Sequence, residues 1–280
     1  MFRVGEPTVS AMVNRAADAP SIRRTLLGLR TYRHLLRNLV LKDLKLKYRG
    51  SVVGFLWSLA NPLVMAVVYT VAFTKILNAG SEGFVFYLML GLLAWTYFAS
   101  SAGMSTGSIA DNGGLVKSVW FPRAILPIAT VLFNLAQYTL TVLVFLPLML
   151  IYFHVPPAAP MLLFPIFVAL QSIFTIGVAL ILATSAAFFR DVRHLVDVAL
   201  AVVFWTTPIL YELNRLRGGL RQLILLSPMS PYIGAYQDIF YYRQWPDAAI
   251  WATAVGYAGV ALALGLWLIV RNEDSFAERI

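Results

Sequence analysis

Three histidines, His34, His154 and His194, thirteen carboxylates and no cysteine are what this 280-residue chain offers for covalent, metal or acid–base chemistry. The histidines lie far apart in sequence, and neither HExxH nor GxSxG occurs, so no zinc-protease helix or nucleophile elbow can be assembled. GxxxxGK[ST] is also absent, which removes the usual phosphate cradle. Lack of cysteine excludes disulfides, thiol catalysis and zinc–thiolate sites. Most acids sit in loops or at chain ends. A proton-coupled carrier needs ionisable groups near mid-membrane, and only Asp197 comes near that position. The remaining chemistry is physical: basic residues that meet headgroups, aromatic faces on which an apolar surface can rest, and a short charged loop.

The elements that must position these groups are apolar helices. The chain is 60% hydrophobic and 12% charged, about half the charge of a soluble domain, with a mean hydropathy of +0.75. Its net charge of +9 points to membrane orientation rather than nucleic acid, because half of the Lys and Arg precede residue 50 and no nucleic-acid motif accompanies them. No cleavable signal peptide is evident. Residues 1–29 read as a mobile cytoplasmic tail. From 30 to 49, Tyr32, Leu35, Leu36, Leu39, Leu44 and Tyr48 recur at helical spacing, with Arg33, Arg37, Lys42, Lys45 and Arg49 interleaved. Such a helix should lie flat among lipid headgroups.

Long uncharged runs then predict spans at about 52–75, 84–106, 125–153, 161–188 and 248–270, each near the ~20 residues that a ~30 Å hydrocarbon core requires. The run from Ala124 to Phe189 is divided at Pro156-Pro157. A further span at about 195–211 is short, with Asp197 at or within it. Between it and the last span, residues 213–245 hold segments too short to cross, separated by SPMSP, which predicts a re-entrant or interfacial hairpin. Six spans put 17 Lys and Arg on the side of the termini and five on the other, whereas five spans give 19 and three, so charge alone decides neither. Both arrangements place the N-terminus in the cytoplasm.

Three stretches in order, KYRGSVVGFLWSLANPL at 47–63 with its flanking helix, NGGLVKSVWFPRAILP at 112–127 and SPMSPYIGAYQDIF at 227–240, resemble permeases of type-2 ATP-binding-cassette exporters. The subgroup is the one that moves O-antigen, other lipid-linked polysaccharides or teichoic acids. The resemblance runs from about residue 30 to the C-terminus. It implies an all-α integral membrane protein of six transmembrane helices, with an N-terminal amphipathic interface helix and a re-entrant helical hairpin between spans five and six. It implies a homodimer in the bacterial cytoplasmic (inner) membrane, multi-pass with both termini cytoplasmic. Two copies of a separate ATPase subunit would drive it, so the chain would bind no cofactor and ATP would be used by the partner. Other partners would be the lipid-linked polysaccharide and membrane lipids, with no nucleic acid.

Carried onto this sequence, the resemblance makes 112–122 a coupling loop, with Asn112, Lys117, Phe121, Pro122 and Arg123 as its informative positions. Family members often carry a second basic residue where this chain has Ser118 and an acid where it has Ala124. An apolar knob beside charges, on a short loop held by two spans, can also transmit a rigid push on physical grounds alone. Tyr69 and Phe73 stand one helical turn apart, and Tyr232, Tyr236 and Phe240 recur at i, i+4 and i+8. A sugar's C–H face can rest on such rings, so these five are candidates for a polymer path; aromatics also anchor spans at the interface. The competing functions are export of small lipids or drugs by the same kind of permease, and a membrane-embedded glycosyl- or lipid-modifying enzyme.

Overall fold

The computed structural model describes residues 22–50, 83–213, 218–273 and 276, together with 60, 63–65, 67–69 and 71–72. Most of the expected first span, Phe73 included, and residues 1–21 lie outside the described residues. Everything described is helix or connection, with no strand among these residues. The order is α1 (Ile22–Thr31), α2 (Arg33–Tyr48), α3 (Phe84–Gly107), α4 (Gly113–Ser118), α5 (Ile125–Tyr152), α6 (Phe164–Phe188), α7 (Val192–Trp205), α8 (Gly218–Leu225), α9 (Ser230–Gln237) and α10 (Ala248–Arg271).

Among the described residues four helical stretches are long and apolar enough to cross a membrane: Phe84–Gly107, Ile125–Tyr152, Ala159–Phe188 and Ala248–Arg271. Helices α6 and α10 cross closely because small residues meet there. A Cβ on Gly177 would lie 2.3 Å from the Ala261 backbone, and one on Gly265 would lie 2.5 Å from the Gly177 carbonyl oxygen. In lipid, where burial of apolar surface gives little drive, such close backbone approach supplies the packing.

The stretch expected to span at 195–211 is helical only to Trp205, ~21 Å of helix. Pro208 explains the stop, since it has no N–H to offer the Phe204 carbonyl and disfavours α geometry at Thr207. The non-helical chain that follows is sealed inside protein. The Tyr87 hydroxyl donates to the carbonyls of Tyr211 at 2.9 Å and Pro208 at 3.3 Å, and Gln237 Nε2 donates to Pro208 O at 2.8 Å. Freed backbone groups at membrane depth need such partners.

Helices α8 and α9 form a helix–turn–helix. Its turn is held by Tyr257 Oη donating to Leu226 O (2.9 Å), Ser230 Oγ donating to Ile224 O (2.6 Å) and a 2.8 Å hydroxyl pair between Thr207 and Ser227. The Pro231 ring is accommodated in the first turn of α9, where no backbone donor is needed.

Helix α1 occupies part of the expected tail. It is packed rather than free: Thr25 is buried, and Gly28 lets the Pro122 ring approach so closely that a Cβ there would sit 2.4 Å from Pro122 Cγ.

Candidate functional site

The loop between α3 and α5 carries the densest set of sequence candidates. Asn112 Nδ2 donates to Ser108 O at 2.8 Å, tightening the turn before α4. Lys117 at the end of α4 is exposed, as are Val119 and Trp120. Phe121, in contrast, is completely buried, and Pro122 and Arg123 are buried beside it. The apolar knob at Phe121 is turned into the protomer. Its ring belongs to a small core formed with Leu39, Ile125, Leu180, Leu266 and Phe276, and a side chain with no exposed surface touches no partner.

Arg123 knits that core to its surroundings. Its guanidinium stands 4.9 Å from the Phe121 ring centroid and donates to Val119 O at 3.2 Å, while its backbone N–H donates to Glu273 at 3.2 Å. Burial pushes the guanidinium down from its ordinary value, and neighbouring Glu273 acts in the opposite direction. On the other side, the Tyr32 hydroxyl donates to Trp120 O at 3.2 Å and the two rings meet edge to face. The loop is thus clamped between the N-terminal helices and the C-terminal segment, with Lys117, Val119 and Trp120 presented outward.

A contact absent from the sequence reading ties this loop to α7. Arg193 Nη2 donates to Asp111 Oδ1 at 2.7 Å, and Gly107 makes room, since a Cβ there would lie 2.2 Å from Asp111 Oδ2. Nothing in the separation of 82 residues signals the pair.

Arg33, Arg37, Lys42, Lys45 and Arg49 are all exposed on α2 or at its end, and Lys42 pairs with Asp43 at 3.5 Å. The opposite side of α2 is held by protein: Leu35, Leu36 and Leu39 pack with the Phe121 core. Tyr32 marks one end of α2 at Trp120, and at the other end the Lys47 ammonium donates to Gln137 Oε1 and lies 5.8 Å from the Phe133 ring. Gln137 is twelve residues into α5, ~18 Å of helix. Helix α2 therefore packs against α5, and Lys47 is a tether that amphipathic periodicity did not single out.

The aromatic candidates divide. Tyr69 is half-buried and lines an open groove of about 410 Å³ with Trp95, Thr96, Phe204 and Trp205. Tyr232, Tyr236 and Phe240 share a helical face, as their spacing implied, but that face is turned into the protomer. Tyr232 and Tyr236 are 0% and 1% exposed. Their hydroxyls donate to Ala254 O at 2.8 Å and Gln171 Oε1 at 2.7 Å, and Phe240 packs edge to face on Phe164. These rings form a wall in this arrangement, with Tyr236 and Phe240 bordering only a small cavity of about 20 Å³ beside Phe86, Tyr138 and Phe164. Among the described residues no group of three or more His, Cys, Asp or Glu could hold a metal ion.

The ABC-2 type transporter family matches residues 34–241. The chain is 36% identical over 254 residues to the O-antigen export system permease protein RfbA of Myxococcus xanthus, covering 89% of this chain and 96% of that protein. It is 32% identical over 199 residues to the protein of the same name from Klebsiella pneumoniae, covering 71% and 77%.

Proposed function

The chain belongs to the ABC-2 type transporter family, and from that premise we propose that it is the membrane-spanning subunit of an ATP-driven exporter of lipid-linked polysaccharide, of the O-antigen kind named for its relatives. The observation that carries the reading is the clamped loop at 108–123. It offers Lys117, Val119 and Trp120 to a partner while Phe121 and Arg123 lock it to α2, α5 and the chain end. Such a handle suits a machine whose motor is a separate ATPase, two copies acting on a permease homodimer in the inner membrane. A push on a rigidly held loop moves the helices attached to it.

Six spans, with both termini cytoplasmic, follow from this reading. The first is the apolar stretch at about 52–75. The fifth is α7, completed by the irregular chain to Tyr211. The α8–α9 pair is the re-entrant hairpin, supported by the Tyr257 bond to Leu226, since Tyr257 lies nine residues inside α10. Cysteines at positions 221 and 243 label from the non-cytoplasmic side in this arrangement; labelling only from the cytoplasm removes the sixth span.

The polymer path runs past Tyr69 and the Trp95–Trp205 groove, while Tyr232, Tyr236 and Phe240 brace the wall behind. Each ring contact with a sugar is weak enough to release as the chain slides.

The deciding experiment is reconstitution of the permease with its ATPase in vesicles. ATP-dependent passage of an intact lipid-linked polysaccharide is the expected result. Transport of sugar-free lipid alone favours the small-lipid exporter, and covalent alteration of the substrate favours an enzyme.

A further inference from the structure

Five described residues have a backbone in the left-handed region: Gly50, Gly83, His154, Gly218 and Arg243. Three of them, Gly83, His154 and Arg243, line one pocket of about 330 Å³ together with Phe86, Phe153 and Tyr241. This pocket lies where α3 begins and α5 ends. His154 ends α5 in a Schellman turn: the Val155 N–H donates to Leu150 O at 2.9 Å, and His154 itself has φ 52°. Arg243 ends the π-helical turn Asp238–Tyr242 with φ 55°, its N–H donating to Asp238 O. Glycine is the unstrained residue at such positions. At both, the chain carries a strained side chain able to donate to an anion, and strain of this kind concentrates at ligand sites.

Both side chains are exposed, and among the described residues no ion pair engages either. The walls are aromatic: Phe86, Phe153 and Tyr241 line the pocket, and Phe86 and Phe153 stack with centroids 5.8 Å apart. Outside the pocket Ile151, Tyr152, Leu162 and Trp245 are exposed, the pattern of a helix end that meets the lipid boundary.

We propose that this pocket seats the phosphate of an anionic lipid headgroup. Arg243 and an imidazole N–H of His154 donate to its oxygens, and the aromatic walls cover the glycerol and the first acyl carbons. Phosphate in the pocket stabilises the two strained turns together, fixing the end of α5 relative to the segment that follows α9. The inference rests on the membrane-spanning reading of α3 and α5. It does not depend on which polymer is exported, so lipid binding by a permease that fails to export leaves it standing.

Native mass spectrometry of the full-length permease, released from bilayers holding equal phosphatidylglycerol and phosphatidylcholine, tests it. Retention should favour phosphatidylglycerol about fivefold, the ratio equivalent to the ~1 kcal/mol that one basic residue gains at an anionic surface. The double variant H154N/R243N should bring the ratio to parity. Asparagine tolerates the left-handed backbone better than most residues, so the change replaces the cationic guanidinium and the imidazole with short uncharged amides without new strain. Equal retention by the parent, or an unchanged ratio in the variant, overturns the proposal. Displacement by soluble glycerol phosphate at the same concentration also overturns it, assigning the pocket to a free phosphate ester. A measurement on the parent alone covers the case in which the variant does not fold: phosphatidylglycerol with a photoreactive headgroup should label 153–156 and 241–244, and labelling confined to other segments is the contrary result.

Discussion

The Tyr236 hydroxyl donates to Oε1 of Gln171 at 2.7 Å, and the other end of that amide, Nε2, donates to the Ala94 carbonyl at 2.9 Å. One buried amide therefore joins α9 to α6 and α6 to α3. Beside it the Tyr97 hydroxyl donates to Ser172 Oγ at 3.0 Å, and Tyr97 stacks on Tyr138 with centroids 5.2 Å apart. Tyr236→Phe keeps the ring and removes the bond to Gln171, leaving a buried acceptor unpaired at a cost of about 1–3 kcal/mol. The expected outcome is a lower unfolding temperature in detergent, with the double variant Y236F/Q171L losing less than the sum of the singles. Unchanged stability with lost export assigns the hydroxyl to the polymer instead.

Phe121 and Lys117 should separate structure from coupling. Phe121→Ala empties a closed core, a change that costs about 3–5 kcal/mol, so folded permease should fall in the membrane. Lys117→Glu alters an exposed charge on the same loop and should leave permease levels normal while lowering stimulated ATP hydrolysis and export. Normal levels of Phe121→Ala, or full coupling by Lys117→Glu, contradicts this assignment.

The division between Phe121 and Lys117 marks how far the sequence was legible. Long uncharged runs announce helices, because only a helix satisfies its own backbone in lipid. The turn at Pro156-Pro157 was readable for the same reason that Pro208 ends α7. The i, i+4, i+8 spacing correctly put Tyr232, Tyr236 and Phe240 on one face, yet in a chain apolar all round periodicity does not say whether that face meets a channel or a neighbouring helix. Gln137, Gln171 and Gln237, amides within or beside apolar segments, were the overlooked signal, since such a group demands a partner and so marks where elements join. Asp111 and Arg193 were beyond reach, because only the folded chain brings α4 and α7 to the same end.

Asp238 supplies a pH test. Burial pushes its carboxyl up from 3.8 to about 6; Asp247 adds to the rise, and the 2.8 Å bond from Gln244 Nε2 opposes it. A raised acid is easier to keep protonated in the fold than in the unfolded chain, so its contribution is fully present below pH 3.8 and lost as pH rises through about 6. Acidification from pH 7.5 to 5 should therefore raise the unfolding temperature of the parent relative to Asp238→Asn, which cannot titrate there. Parallel pH profiles for the two proteins exclude Asp238 as the cause.

The Asp111–Arg193 pair is expected to matter for transmission more than for stability. Its side chains are 64% and 48% exposed, and an exposed pair contributes about 0–1 kcal/mol to folding. It is nevertheless a direct link between the clamped loop and α7, the helix whose broken end rests on Tyr87 and Gln237 at the far side of the fold. Asp111→Arg and Arg193→Asp should each leave unfolding temperatures nearly unchanged while lowering export per ATP hydrolysed. The swapped double variant D111R/R193D restores opposite charges across the same gap and should recover part of the loss. Raised salt should weaken coupling in the parent more than in either single variant, since an exposed pair is screened. Full coupling in both singles makes the pair incidental, and singles that lose coupling without recovery in the swap point to separate roles for the two side chains.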